Sequence, residues 1–245
     1  MIRILTYNVH RCLGTDRRLD VGRIAAVIAA ETPDIVALQE VDVGRARTGG
    51  VDQAHQIAQR LNMTARFHAA LKVEEELYGD AILTALPERL IRADALPGYD
   101  RIPQLEPRGA LMAAIDLGGG AEVRVINTHL GLVPREQQLQ AEALAGEGWL
   151  GAPAAGEAVI LLGDMNATAR ASAYQRLAAK LTDAHRTPGG RGQRIATFPA
   201  ALPFLRIDHI FVSEGVEVKS LRVSASAEAV VASDHRPLVM DFALR

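Results

Sequence analysis

Several short stretches pair a run of apolar residues with one side chain able to bind a metal, a proton or a phosphate. Val159-Ile160-Leu161-Leu162 leads into Gly163-Asp164-Met165-Asn166. An apolar run of this length, rich in β-branched residues and followed by glycine, reads as a strand covered on both faces. The two-residue strand period sets Asp164 and Asn166 on one side. A carboxylate and a carboxamide at such an end suit a hard cation, a water or a phosphate oxygen. Taken alone, Gly-Asp-x-Asn reads more readily as a turn.

The same grammar recurs along the chain. Ile2 to Asn8 ends in Asn8, Asp34 to Glu40 ends in Glu40, and Glu122 to His129 ends in His129. Leu205 to Val212 carries Asp208, and Ser233-Asp234-His235-Arg236-Pro237 precedes the apolar Leu238-Val239-Met240. Each strand delivers one chemically active residue, so a site assembled from across the chain is expected.

These residues need elements to hold them. Asp20 can cap a helix whose apolar positions Val21, Ile24, Val27 and Ile28 follow helical spacing. A second helix is expected over 51–62, a third from Pro134 to about Trp149, and a short one over 171–180. Strands are expected at 64–71, 79–86 and 90–96, and a hairpin at 109–130 around Gly118-Gly119-Gly120. Further strands follow at 207–212, 216–223 and 238–242. No linker or solenoid repeat divides the 245 residues, so one domain, 1–245, is expected.

Composition narrows the function. The chain is 49% hydrophobic and 23% charged, which supports a substantial core. A net charge of −2 disfavours long-range tracking along nucleic acid, but leaves room for a local arginine cluster. Cys12 is the only cysteine, which rules out an internal disulfide and a cysteine-based zinc site. With the first strand starting at Ile2 and no membrane-length apolar run, a cytoplasmic location with no membrane span is expected.

Six motifs stand in order: Thr6-Tyr7-Asn8-Val9-His10, Leu38-Gln39-Glu40-Val41, Asn127-Thr128-His129-Leu130, Gly163-Asp164-Met165-Asn166, Ile207-Asp208-His209-Ile210-Phe211 and Ser233-Asp234-His235-Arg236-Pro237. In this, the chain resembles the endonuclease/exonuclease/phosphatase superfamily from Thr6 to Pro237. The resemblance implies an α+β fold, a four-layer α-β-β-α sandwich of two mixed sheets packed face to face with helices outside. It implies a Mg²⁺-dependent phosphodiester hydrolase, with Mn²⁺ an alternative ion.

By the same resemblance, Glu40 and Asn8 are metal ligands, with Asp234 beside the metal. His235 is general base or phosphate-positioning histidine, oriented by Asp208. Asp164 and Asn166 orient the attacking water and bind a phosphoryl oxygen, and His129 donates to a phosphate oxygen or the leaving group. Arg108, Arg45 and Arg47 are candidate phosphate contacts because guanidinium binds phosphate bidentately. Asp80 stands where many relatives have Asn and is a candidate to orient His129.

The substrate stays open between a nucleic acid or nucleotide and a phospholipid headgroup or other small phosphodiester. The motif before Asp208 lacks the Trp-Cys-Asp-Arg pattern of inositol phosphatases, which lowers that reading. A non-catalytic binding module would have no need of this full set of acids and histidines.

Overall fold

The computed structural model describes all residues from Met1 to Arg245. The first sheet contains β1 (Ile2–Asn8), β2 (Ile35–Val43), β3 (Thr64–Val73), β4 (Glu76–Thr84), β11 (Val216–Val223) and β12 (Leu238–Leu244). The second contains β5 (Glu88–Ala95), β6 (Gly109–Gly118), β7 (Ala121–His129), β8 (Val159–Asp164), β9 (Thr182–Asp183) and β10 (Asp208–Val212). Their orders are β11-β12-β1-β2-β4-β3 and β5-β6-β7-β8-β10-β9. Each sheet is mixed. Its single parallel pair, β1 with β2 or β7 with β8, is joined through a helix, as a parallel crossover requires.

The helices are α1 (Val21–Glu31), α2 (Gln53–Leu61), α3 (Pro134–Ala145), α4 (Ser172–Ala178) and α5 (Ala227–Val231). Asp20 caps α1 by accepting the Arg23 N–H at 2.9 Å, and Thr32 ends it in a left-handed conformation before Pro33. The third helix stops at Ala145, short of the expected Trp149, because Gly146 leaves helical geometry. The helix α5 lies where none was expected.

Strand alternation builds the layers. In β1, Ile4 joins the core between the sheets with Ile35, Leu111, Ile160 and Met240. Its neighbour Leu5 faces the other way, into a core under α1 and α2 with Ile24, Ile28 and Ile57. A third core packs Ile126, Leu161 and Phe211 against Leu144, Tyr174 and Leu177 of α3 and α4. Strands buried on both faces explain the continuous apolar runs, and the four-layer sandwich is the result.

A polar clamp crosses the apolar middle layer. From β7, the Asn127 amide donates to the Leu38 and Ala81 carbonyls of the facing sheet, at 2.8 and 2.9 Å. Its oxygen accepts from Gln39 Nε2 at 2.7 Å, and that same nitrogen donates to Thr6 Oγ1 at 3.0 Å. These buried bonds tie the two sheets together in one relative position, with only the Gln39 Oε1 left without a partner.

Candidate active site

The strand ends of the two sheets converge on one cavity of about 520 Å³. In the second sheet, register does the placing: His129 lies beside Asp164, and Asp164 beside Asp208, across β7, β8 and β10. Gly163 makes this approach possible. A side chain there would meet the Thr128 carbonyl at 1.9 Å, and its φ of +139° is one that glycine tolerates. From the first sheet come Asn8 at the end of β1 and His235 just before β12.

Glu40 does not end its strand. The strand β2 continues to Val43 through a bulge, where Gln39 and Glu40 together oppose Asp80. Glu40 takes a left-handed φ of +59° there, and such a bulge re-aims a side chain. Gln39 faces the sheet interface while Glu40 lines the cavity.

His235 Nδ1 lies 2.8 Å from Asp208 Oδ2, and Thr197 Oγ1 donates to the same oxygen. Burial works against charging this histidine. The carboxylates of Asp208 and Asp164 overcome that and push its pKa up to about 10. Asp164 Oδ2 is 3.5 Å from Nε2 of both His235 and His129. Burial, and then the neighbouring Asp208, raise its pKa to about 7.

His129 has an unusual partner. Both ring nitrogens face donors: Arg108 Nη1 lies 3.0 Å from Nδ1, and the Asn166 amide nitrogen 2.9 Å from Nε2. Burial and the Arg108 charge hold His129 neutral, well below the ordinary histidine range. Arg108 is itself buried and paired with Glu106 at 2.8 Å. Asp80 therefore does not orient His129, contrary to expectation. It is buried, makes no bond to that ring, and its pKa is raised well above the usual range, chiefly by burial.

Asn8 stands between the carboxylates. Its Nδ2 donates to Glu40 Oε1 and Asp164 Oδ2, both at 3.0 Å, while its oxygen accepts from the His10 N–H at 3.0 Å. In this geometry its nitrogen spaces two carboxylates, and its oxygen keeps a second lone pair. Asn166 sits at a left-handed φ of +46°, with its amide nitrogen 2.9 Å from His129 Nε2 and 2.9 Å from the Leu130 carbonyl.

Of the expected arginines, Arg47 lines the cavity with its guanidinium held by Asp42 at 2.7 and 2.8 Å. Arg45 does not reach the cavity; it turns to Glu76, 3.4 Å away. The arginine that composition and motif did not single out is Arg11. It lines the cavity from a turn in which His10, Arg11 and Cys12 all have left-handed backbones. Consecutive left-handed residues are costly, and here Val9, Leu13 and Gln53 tie the turn down through hydrogen bonds. Tyr78, Leu132, Phe198 and Leu205 also line the cavity and were likewise missed. Tyr78 sits in β4, and the direction of the other three depends on loops that only the fold orders.

Residues 5–235 match the family model described as "Endonuclease/Exonuclease/phosphatase family", and the chain belongs to that family. The uncharacterized protein YbhP of Escherichia coli (strain K12) is 28% identical, over 96% of this chain and 94% of its own length. Among solved structures, a family member from Bacteroides vulgatus superposes with a TM-score of 0.75 at 20% identity, covering 100% of this chain and 99% of that one. The human Nocturnin catalytic domain with bound sulfate gives 0.72 at 20%, covering 100% and 93%. The mannosyl-6-phosphatase of Bacteroides thetaiotaomicron gives 0.71 at 18%, covering 100% of both chains. Family members are typically metal-dependent hydrolases, nucleases and phosphatases among them. No helix here is long and apolar enough to cross a membrane.

Proposed function

We propose that this protein is a divalent-cation-dependent phosphodiester hydrolase acting on nucleic acid or a nucleotide. The observation that carries the reading is the convergence of His235, backed by Asp208, with Asp164 and His129 on one cavity that Glu40 also lines.

The donor set fits a hard cation. Glu40 has no arginine or lysine partner and bonds only to the Asn8 amide, while Asp234 lines the same cavity half-exposed. Few oxygen donors beside open space suit Mg²⁺, which keeps several of its waters; Mn²⁺ accepts the same set. Asp164, Asp208 and His235 also bring ligand-type atoms within 4.8 Å of one another. Asp208 and His235 are already bonded to each other there, so Glu40 and Asp234 are the residues assigned to hold the ion. The cation, when bound, would neutralise phosphate charge and polarise a phosphoryl oxygen.

The chain supplies the rest. Asp164, with a pKa near neutrality, is matched to take a proton from water. His235, held charged by Asp208, is matched to bind a phosphoryl oxygen. His129 lines the cavity where a phosphate oxygen or the departing oxygen would lie, its ring positioned by Arg108 and Asn166.

The test is cleavage of supercoiled plasmid in Mg²⁺ at low salt, beside His235→Ala and Glu40→Ala. Metal-dependent nicking that drops at least about a thousand-fold in both variants is expected. Nicking that survives in a variant free of contaminating nuclease refutes the site. One observation favours a second reading. Leu132 is 70% exposed at the mouth and, with Phe198 and Leu205, gives the cavity an apolar wall suited to a lipid headgroup substrate. Headgroup release without plasmid nicking would select it.

A further inference from the structure

A second concavity of about 590 Å³ lies against the catalytic cavity, across a wall one chain thick. Consecutive residues face opposite ways along that wall. Phe204 lines the second cavity and Leu205 the catalytic one; Arg206 the second and Ile207 the catalytic one; Arg236 the second and His235 the catalytic one. Strand-like alternation produces this division. Phe198 and Leu205 form an antiparallel bridge, and the 197–205 segment docks on 234–236. The Arg236 N–H donates to the Thr197 carbonyl at 3.0 Å, and the Ala200 N–H to the Asp234 carbonyl at 2.7 Å.

The chemistry of the two sides differs. Four carboxylates line the catalytic cavity. Three arginines, Arg194, Arg206 and Arg236, line the second, with no carboxylate among its lining residues. Arg206 is neutralised by Asp183 at 2.5 Å. Arg236 bonds only the Ala200 carbonyl through Nε, and Arg194 is exposed and makes no side-chain bond, so neither has an anionic partner. On a chain of net charge −2, this acid-free basic groove is a local exception. Beside it Phe204 is 70% and Leu202 76% exposed.

We propose that the groove of Arg194, Phe204 and Arg236 binds the continuation of a single-stranded polynucleotide whose scissile phosphate occupies the catalytic cavity. The proposal rests on the phosphodiester-hydrolase reading. Arg194 and Arg236 contact flanking phosphates, and Phe204 stacks a base, the combination by which single strands are held without sequence preference. The concave shape favours a strand over a bilayer, which presses on protruding surfaces. A second contact beside the cleavage site would set a preference for longer substrates.

Two exposed positions, Arg194→Glu and Phe204→Ala, test the groove without touching the catalytic residues. Binding of a fluorescent twenty-nucleotide oligothymidylate is followed by anisotropy in EDTA, and hydrolysis of bis(p-nitrophenyl) phosphate in Mg²⁺. Each variant is expected to bind the oligonucleotide about ten-fold more weakly, with small-diester turnover within two-fold of the parent. Arg194→Glu should also flatten the slope of log affinity against log salt by about 0.7. Unchanged affinity in both variants, or no oligonucleotide binding by the parent, overturns the groove. So does Phe204-dependent capture by phosphatidylserine vesicles in place of oligonucleotide binding. Oligonucleotide binding that behaves as expected, in a parent that hydrolyses neither substrate, sinks the hydrolase reading and leaves the groove standing.

Discussion

The partners of the two histidines set them apart: His129 Nδ1 faces the Arg108 guanidinium, and His235 Nδ1 the Asp208 carboxylate. Burial and the Arg108 charge favour a neutral His129, whereas the carboxylates of Asp208 and Asp164 favour a charged His235. Asp208→Asn keeps the shape but withdraws the charge that sustains the His235 imidazolium; kcat is expected to fall by about a hundred- to ten-thousand-fold, read under saturating substrate. Arg108→Ala should cost about a hundred-fold, while Arg45→Ala, whose side chain turns to Glu76, should leave kcat/KM within two-fold. Equal losses from the two arginine variants would show that bulk positive charge, and not position, is what counts. The sequence made the acids and histidines legible because each follows an apolar strand. It could not separate Arg45 from Arg11: both are loop arginines, and only the left-handed turn at His10 to Cys12 aims one of them inward.

Among the elements, β2 and β7 govern the geometry between sheets. Asn127 looked like part of the histidine motif, yet it serves as the clamp between layers, bonding Leu38, Ala81 and Gln39. Asn127→Ala strands two carbonyls and an amide in the core and is expected to cost about 3 kcal/mol, measurable by urea denaturation. A loss under about 1 kcal/mol would mean that water replaces the clamp. Strand positions were readable from apolar runs; the four layers were what the family resemblance implied, and runs buried on both faces are compatible with them. The bulge at Glu40 was not readable. Nothing in Leu38-Gln39-Glu40-Val41 signals an extra residue, since the bulge exists only relative to the register of β4. The short helix α5 was likewise hidden; its five residues are held by the Ser226 cap and by packing of Ala229.

For the molecule as a whole, acid and metal act on stability in separable ways. His209 is buried, its Nε2 lies 2.8 Å from the Ala167 carbonyl, and Nδ1 has no partner. Burial pushes its pKa down to about 4 from an ordinary 6.5. The unfolded chain therefore takes up the proton first. The stability linked to this group is complete above about pH 6.5 and drains away as pH falls towards 4, up to about 3 kcal/mol. His209→Gln should lack that window; denaturation at pH 7.5 and 4.5 compares the two, and equal acid losses would clear His209. A cation on Glu40 relieves crowded carboxylates, so saturating Mg²⁺ should raise Tm by roughly 5 to 10 °C in the parent and far less in Glu40→Ala. An identical rise in both would place the ion elsewhere.

The strand order also bears on how the protein is made. The strand β1 lies between β2 and β12, pairing Ile2 with Phe242, and Asp234 and His235 come just ahead of β12. During synthesis, β1 keeps a bare edge until residues 238–244 leave the ribosome. The cavity cannot assemble before that. The event that covers the β1 edge is also the one that delivers His235, so a chain lacking β12 has both a bare strand edge and an incomplete cavity.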